Sequence, residues 1–534
     1  MTDFDVIVVG AGFSGLYALH RLREMGLRVR VLEKAESVGG TWLYNRYPGA
    51  RCDIESIEYS YSFSDEIQQE WVWTETMPAQ AEVEAYLNFV ADRLNLRRDI
   101  DFGVEVLAMS FAEDAWTLTT GSGQRLTTSF VVAATGILSV PLKPDIAGMP
   151  SFTGTTLFTS SWPAQGFDLT GKRVGVIGTG STGVQMIPVI ARQASELYVF
   201  QRSAAFTLPW QVRAFEPGEL DALKASYAEI RTAQREHPVG AARLSAFSVL
   251  LDMLVSPPIK AASREEKRRA IDDRGIMGAL NWGDVFFDIE ANRMATALYG
   301  EAIARIVNDP STAAALVPTH PFACKRPIID QGYFETFNRP NVTLVDLRSD
   351  PLKSVVPNGI TTDGAEYELD VIIYATGFDA MTGALSAIDV RGREGVSLRE
   401  FWASEGPLSY LGLVVAGFPN LFTVQGPGSP SAATNFVAAM EQHIEWIASC
   451  IGYLRANGHR TIEATSDAQR EWIEHATSLV APTVLTHPSC NSWYNGANVP
   501  GKKRMYMGYT AGIPEYRRRC DEIAAGGYVG FTVE

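Results

Sequence analysis

Two glycine-rich turns, each set between an apolar strand and a helix, constrain this chain more than any other feature. Phe4 to Val9 is an apolar run with one acid, the pattern of a buried parallel strand, and it ends at Gly10-Ala11-Gly12-Phe13-Ser14-Gly15. Leu16, Leu19, Leu22 and Met25 then recur at helical spacing, and Leu27 to Leu32 is a second strand closed by Glu33. Glycines permit the tight turn, the helix N-terminus attracts a pyrophosphate, and an acid about 20 residues on binds a ribose hydroxyl. A GxGxxG alone is weak evidence, but strand, helix, second strand and acid all fall in place here.

The second turn is Gly178-Thr179-Gly180-Ser181-Thr182-Gly183, after a strand over Arg173 to Ile177 and before a helix over Val184 to Gln193. Its second strand, Leu197 to Phe200, is followed by Gln201-Arg202-Ser203 and no acid. An acid there would bind the 2′-hydroxyl of NAD, whereas a guanidinium beside a hydroxyl suits a 2′-phosphate, so this turn is expected to hold NADP. Two dinucleotide sites in one chain suggest electron transfer between them. The expected fold is α/β, with two Rossmann-like dinucleotide-binding domains.

At 534 residues the chain has room for two or three domains, and 46% apolar with 20% charged residues is ordinary globular usage. A formal charge of −15 argues against nucleic acid or an anionic membrane as partner. Cys52, Cys324, Cys450, Cys490 and Cys520 are scattered without a CxxC, so reduced cytosolic thiols are expected and paired-thiol reductase chemistry is not. The seven histidines form no metal-ligand pattern. Met1 leads into a strand without a secretory pattern, and the apolar run Ala246 to Val255 is shorter than the about 20 residues a membrane span needs. A cytoplasmic protein is expected.

Five segments are expected: residues 1–140 and 377–534 as two parts of the first nucleotide domain, 141–208 and 321–376 as a linker and two parts of the second, and 209–320 as a helical insertion. The linker is Pro- and Gly-rich, and the "VVAATG" of Val131 to Gly136 is echoed by "VIIYATG" at Val371 to Gly377. The insertion is highly charged, as in "SREEKRRAIDDRGI" from Ser263, which reads as solvated helix faces.

One loop makes the chain recognisable. In "GGTWLYNRYPGARCDIES", Gly39 to Ser56, the run Gly40-x-Trp42, then Tyr47-Pro48-Gly49 and Asp53, resembles the long fingerprint of type I Baeyer–Villiger monooxygenases, closest in form to their phenylacetone and cyclohexanone branches. Phe152-x-Gly154 and Trp162-Pro163 resemble the family's short fingerprint, although Phe158 stands where the family has His. That His is placed on the interdomain link, so its absence is expected to weaken coupling of NADPH use to product.

The resemblance implies an enzyme that uses FAD, NADPH and O2 to convert a ketone to an ester or lactone through a C4a-peroxyflavin. It implies FAD contacts at Gly10, Gly12, Phe13, Gly15, Glu33, Gly40, Thr41, Trp42, Asp53, Tyr59 and Val106. NADP contacts are implied at Gly178 through Gly183, Gln185, Arg202, Ser203, Lys325, Arg326 and Trp493, and a substrate pocket at Leu138, Ser431, Ala432 and Phe436. On residue type alone, Lys325-Arg326 before Pro327 is as readily a surface pair as an anion site. The resemblance makes Arg326 the catalytic guanidinium and Asp53 the group that orients it. The rivals are an N- or S-oxygenating flavin monooxygenase and an NADP(H)-binding sensor. No protein partner is expected.

Arg202→Ala tests the cofactor reading. Loss of one charge-assisted phosphate contact costs about 1.5 to 3 kcal/mol, so the NADPH requirement rises about tenfold to a hundredfold while NADH use barely changes. Steady-state kinetics with both cofactors is the check, and equal damage to both overturns the assignment.

Overall fold

A computed structural model describes residues 2–243 and 245–534. The first sheet has eight strands: β1 (Phe4–Val9), β2 (Val29–Glu33), β3 (Ile100–Phe102), β4 (Val106–Ala112), β5 (Ala115–Thr120), β6 (Arg125–Ala133) and two contributed later by the chain. β1 lies between β2 and β6, parallel to both, with Val6, Ile7 and Val8 fully buried. An uninterrupted run of branched aliphatic residues suits a strand covered on both faces. The turn after it can only be glycine: Gly10 has φ +104°, and a Cβ there would sit 2.6 Å from the Ala134 carbonyl oxygen.

The second sheet is wholly parallel. Its strands are β7 (Thr155–Phe158), β8 (Arg173–Ile177), β9 (Glu196–Gln201), β12 (Val342–Asp346) and β16 (Val371–Tyr374), in the order β12-β9-β8-β16-β7. Between β9 and β12 run β10 (Thr207–Pro209) and β11 (Ile328–Asp330), which pair with each other. The chain therefore leaves for the insertion and returns from it at adjacent strands. A small antiparallel sheet of β13 (Leu352–Val356), β14 (Gly359–Thr362) and β15 (Glu366–Glu368) precedes β16. After β16 the chain goes back to the first sheet, adding β17 (Asp389–Arg391) beside β4 and β18 (Leu421–Thr423) beside β6. The helix Phe436–Asn457 then packs on the helix Phe13–Glu24.

The inserted helices divide between two cores. Leu220 and Tyr227, from the helices Glu219–Ala225 and Tyr227–Glu236, join the core under the first sheet. Ile271, Ile276 and Tyr299, from Arg264–Leu280 and Ile289–Ile303, join the core of the second. The charged run from Ser263 is largely exposed and starts with a reciprocal Ser263–Glu266 capping box. Tyr227–Glu236 departs from the expectation of solvated faces, since Arg231 is buried and donates to Gln68 (2.8 Å), Gln234 (2.8 Å) and Ser60 (2.9 Å). A buried guanidinium survives because its donors are met.

Two other expectations change. Phe158 is not in an irregular link: it ends the edge strand β7, opposite Tyr374 in register, with the rings stacked 5.1 Å apart at 20°. β-branched and aromatic residues across Thr155–Phe158 favour the extended edge over a loop. Nor are all cysteines free. Cys324 and Cys490 form a disulfide with Cα atoms 5.7 Å apart, while Cys52, Cys450 and Cys520 are buried thiols. The pair is 166 residues apart in sequence, which a search for near-neighbour spacing cannot see. Among the described residues no helix is long and apolar enough to cross a membrane, and no group of His, Cys, Asp and Glu could hold a metal ion.

Phe158→Ala removes one half of the stack. Its expected cost is about 2 to 3 kcal/mol, below that of a fully buried Phe, and appears as a lowered thermal midpoint of the flavin-loaded protein. An unchanged midpoint shows that the stack carries no stability.

Candidate active site

Asp53 and Arg326, far apart in sequence, form an ion pair of 2.7 Å between Oδ2 and Nη2. The Asp53 side chain is 12% exposed and the Arg326 side chain 36%. Asp53 is carried by the fingerprint loop, and Arg326 by the segment that leads into β11. Burial opposes the charge on Arg326, but Asp53, together with Tyr494, Cys52 and Tyr59, outweighs it and raises the basicity of the guanidinium. The groups around the pair are held neutral. Burial, helped by Asp53, pushes the Cys52 thiol well up, and burial does the same to the Tyr59 phenol. Tyr494, fully enclosed, is pushed up to about 12 by burial, with Arg326 pulling the other way.

The fingerprint loop is clamped to the second nucleotide helix, Ser181–Ile190. Tyr47 donates its hydroxyl to Gln185 Oε1 (2.8 Å), and Gln185 Nε2 donates to the Arg51 carbonyl (3.0 Å). Gly49 has φ +84°, and a Cβ there would fall 2.4 Å from the Gln185 carbonyl oxygen. Gln185, expected at the nucleotide, thus has both ends of its amide engaged in bridging loop and helix. Trp42 Nε1 donates to the Tyr59 hydroxyl (3.2 Å), their rings meet edge to face at 5.7 Å, and Tyr59 meets Phe13 in the same way at 5.3 Å. Phe13, Trp42 and Tyr59 so form an aromatic wall beside the Gly10–Gly15 turn, with Gly40 and Thr41 at the start of the short helix Thr41–Tyr44.

The geometry fits two dinucleotides. The helices after Gly12 and Gly180 begin without a side-chain cap, whereas those after Ser64, Ser263, Asp288 and Thr465 have one. Uncapped first-turn N–H groups are what a pyrophosphate needs. Glu33 is buried at the end of β2, its oxygens accepting from Ala11 N (2.7 Å) and Ala35 N (2.8 Å), which leaves lone pairs for ribose hydroxyls. Val106 starts β4 close by, and Val104 N donates to the Glu33 carbonyl.

On the other turn, Thr179 donates to the Ser203 carbonyl (2.8 Å), tying the turn to the exposed Arg202 and Ser203. Lys325 is drawn below its ordinary basicity by burial and then by Arg202. Two cations close enough to oppose each other mark a place for a multiply charged anion. Lys325 thus lies within the electrostatic reach of Arg202, and Ser203 follows Arg202 on the turn side.

Of the expected pocket residues, Leu138 and Ser431 come together and Phe436 does not join them. Leu138 packs on a cluster containing Met381, Tyr494, Leu485 and Met507, with Trp493, Tyr506 and Phe286 against it. Ser431 Oγ lies 4.0 Å from Met381 Sδ. Phe436 packs instead on the core of the first sheet, and its carbonyl accepts from Gln425 Nε2 (2.6 Å). The side chain of Ala432 lies outside the described residues. Sequence reasoning missed Tyr494, Met381 and the two bonded cysteines. Tyr494 had a signal, since it directly follows Trp493 in "SWYNGAN" and their rings touch at 4.4 Å.

Comparison with known proteins agrees with this geometry. A family model described as pyridine nucleotide-disulphide oxidoreductase matches residues 4–225. A Baeyer–Villiger monooxygenase of Pseudooceanicola batsensis is 40% identical over 98% of this chain and 95% of the relative. A phenazine N-monooxygenase of Lysobacter antibioticus is 38% identical over 100% of this chain and 97% of its own. Among solved structures, an oxidized steroid monooxygenase bound to NADP matches with a TM-score of 0.90 and 44% identity, covering 100% of this chain and 99% of that one. Identity at this level over whole chains, with paired nucleotide turns and the Asp53–Arg326 contact in one site, places this chain in the type I Baeyer–Villiger monooxygenase family, which works with FAD and NADPH.

Proposed function

We propose that Arg326, held by Asp53, is the group on which ketone oxygenation depends in this chain, and the observation that carries this is their 2.7 Å ion pair in a neutral surround. FAD, reduced by NADPH, supplies the activation of O2 and its delivery to the ketone, giving an ester or lactone. The protein's own residues bind, orient and exclude water. The uncapped helix after Gly12 takes the FAD pyrophosphate and Glu33 a ribose hydroxyl, while Arg202, Ser203 and Lys325 take the NADPH 2′-phosphate. Arg326 would offer a permanent positive charge to the oxygen being transferred, because a guanidinium stays protonated throughout. Asp53 holds one end of the guanidinium in place, which limits the reorientation needed when negative charge develops on that oxygen. Neutral Cys52, Tyr59 and Tyr494 keep the local dielectric low and so strengthen the field of the guanidinium.

Residues 1–140 and 377–534 are assigned to FAD, 141–208 and 321–376 to NADPH, and 209–320 to a strut that reaches both cores. The apolar lining by Leu138 and Met381, with Ser431 beside Met381, favours a ketone with an apolar body. The cytoplasm, where NADPH is regenerated, is the proposed location. A second reading, N-oxygenation, draws on the phenazine N-monooxygenase relative. Turnover of a ketone panel against N-heteroaromatics, with product identification, separates the two.

Arg326→Ala gives the sharpest test. Removing one preorganised charge partner costs about 10² to 10³ in rate, so ester formation nearly vanishes while NADPH-driven bleaching of the flavin persists. Lys325→Ala instead raises the NADPH requirement. Rapid mixing without and then with O2 separates the steps, and wild-type ester formation by Arg326→Ala overturns the proposal.

A further inference from the structure

Cys324 is the residue before Lys325 and Arg326, and Cys490 lies three before Trp493, so their bond joins two segments assigned to opposite nucleotides. Both cysteines are fully buried in a small cluster with Val484, against Phe286 of the insertion. Other anchors of the C-terminal segment are non-covalent. Val484 N donates to the Phe286 carbonyl (3.0 Å), Asn498 Nδ2 to the Phe378 carbonyl (2.8 Å), and Lys502 pairs with Asp379 (2.6 Å). Cys490 also folds the segment onto itself, because its carbonyl accepts from Asn495 Nδ2 (2.9 Å) and Arg504 Nη2 (3.0 Å).

We propose that the Cys324–Cys490 pair is a redox latch: oxidised, it pins the segment carrying Trp493 and Tyr494 onto Lys325–Arg326 and slows nicotinamide-nucleotide exchange; reduced, it lets that segment lift. The effect on the nucleotide rests on the placement of Lys325, Arg326 and Trp493 at the NADPH site proposed above. The pairing itself does not. In the bonded state Cys490 Sγ lies 3.1 Å from the Cys324 carbonyl, an acceptor near at hand for the thiol that reduction leaves. A tether acts by raising the effective concentration of the segment over its site.

The oxidant is hydrogen peroxide, the two-electron product whenever NADPH is oxidised by O2 without a ketone. One thiolate sulfur attacks a peroxide oxygen, an S–O bond forms as the O–O bond breaks, and with one proton taken up the first water leaves. The second thiolate then attacks that sulfur, the S–S bond forms as the S–O bond breaks, and with a second proton taken up the second water leaves. Overall two thiols and one peroxide give one disulfide and two waters. A dithiol reductant reverses the change by exchange. The latch thus closes when turnover runs without substrate.

The test uses the flavin-loaded full chain, reduced with a dithiol and then treated with stoichiometric hydrogen peroxide. Peptide mapping without reductant is expected to show one crosslink, Cys324 to Cys490, with Cys52, Cys450 and Cys520 still alkylated after denaturation. Stopped-flow NADP+ release is expected to be about tenfold slower in the oxidised enzyme, and Cys490→Ser and Cys324→Ser to release at the reduced rate whatever the treatment. Reduced wild type supplies the same comparison should either variant fold poorly, and Cys450→Ala should still switch. No Cys324–Cys490 peptide after peroxide sinks the proposal. So does a crosslink that leaves NADP+ release unchanged, which would make the bond a static brace. Both readouts are independent of ester formation, so an enzyme that oxygenates no ketone refutes the proposed reaction and leaves the latch standing or falling alone.

Discussion

The contact between Asp53 and Arg326 is the constraint on which the rest of the architecture depends. Each residue is unremarkable within its own segment, and the site exists only where the two segments meet. For Arg326 to reach Asp53, the strand pair β10–β11 has to bring the chain back after the insertion at the place it left, and the fingerprint loop has to extend from the first nucleotide domain to the second. The carboxylate offsets part of the cost of drawing the guanidinium out of bulk water. Fold and site therefore stabilise the same geometry.

Most of the frame was legible in the chain itself. β1 and β8 begin and end at the expected residues because runs of branched aliphatics have few alternatives to a doubly covered parallel strand, and the two glycine turns follow from backbone sterics. The family resemblance supplied the partners that distance hides, among them Arg326 for Asp53 and Lys325 for Arg202. Harder to read was whatever depended on tertiary packing. The helix Tyr227–Glu236 looked like a solvated charged face, yet Arg231 lies inside, because a pattern of charges does not disclose which of them meet buried acceptors. Phe158 looked like a defect in a link, yet in an edge strand opposite Tyr374 an aromatic ring has a packing reason to be there. Cys324 and Cys490 looked solitary because only folding makes them neighbours.

The aromatic wall and the pocket show a similar division. Trp42, Tyr59 and Phe13 were foreseen as cofactor contacts, and they also brace one another through an indole-to-phenol hydrogen bond and two edge-to-face contacts. Rings already braced against one another would cost less to order against a flat ligand. Phe436 shows another case: a residue expected at the substrate starts a long helix and packs, half-buried, against the core of the first sheet.

The close approach of Gly49 to Gln185 sets a rule for recombining this protein with its relatives. A Cβ at position 49 would collide with the backbone of the second nucleotide helix, so the loop and that helix are matched surfaces with no slack between them. A chimera cut between residues 140 and 150, however sensible as a domain boundary, would pair a loop from one parent with a helix from the other and leave them to fit by chance. Crossovers that inherit residues 39–56 and 181–190 from the same parent should keep their activity far more often than those that split them. The unit of exchange in this chain is the contact, not the domain.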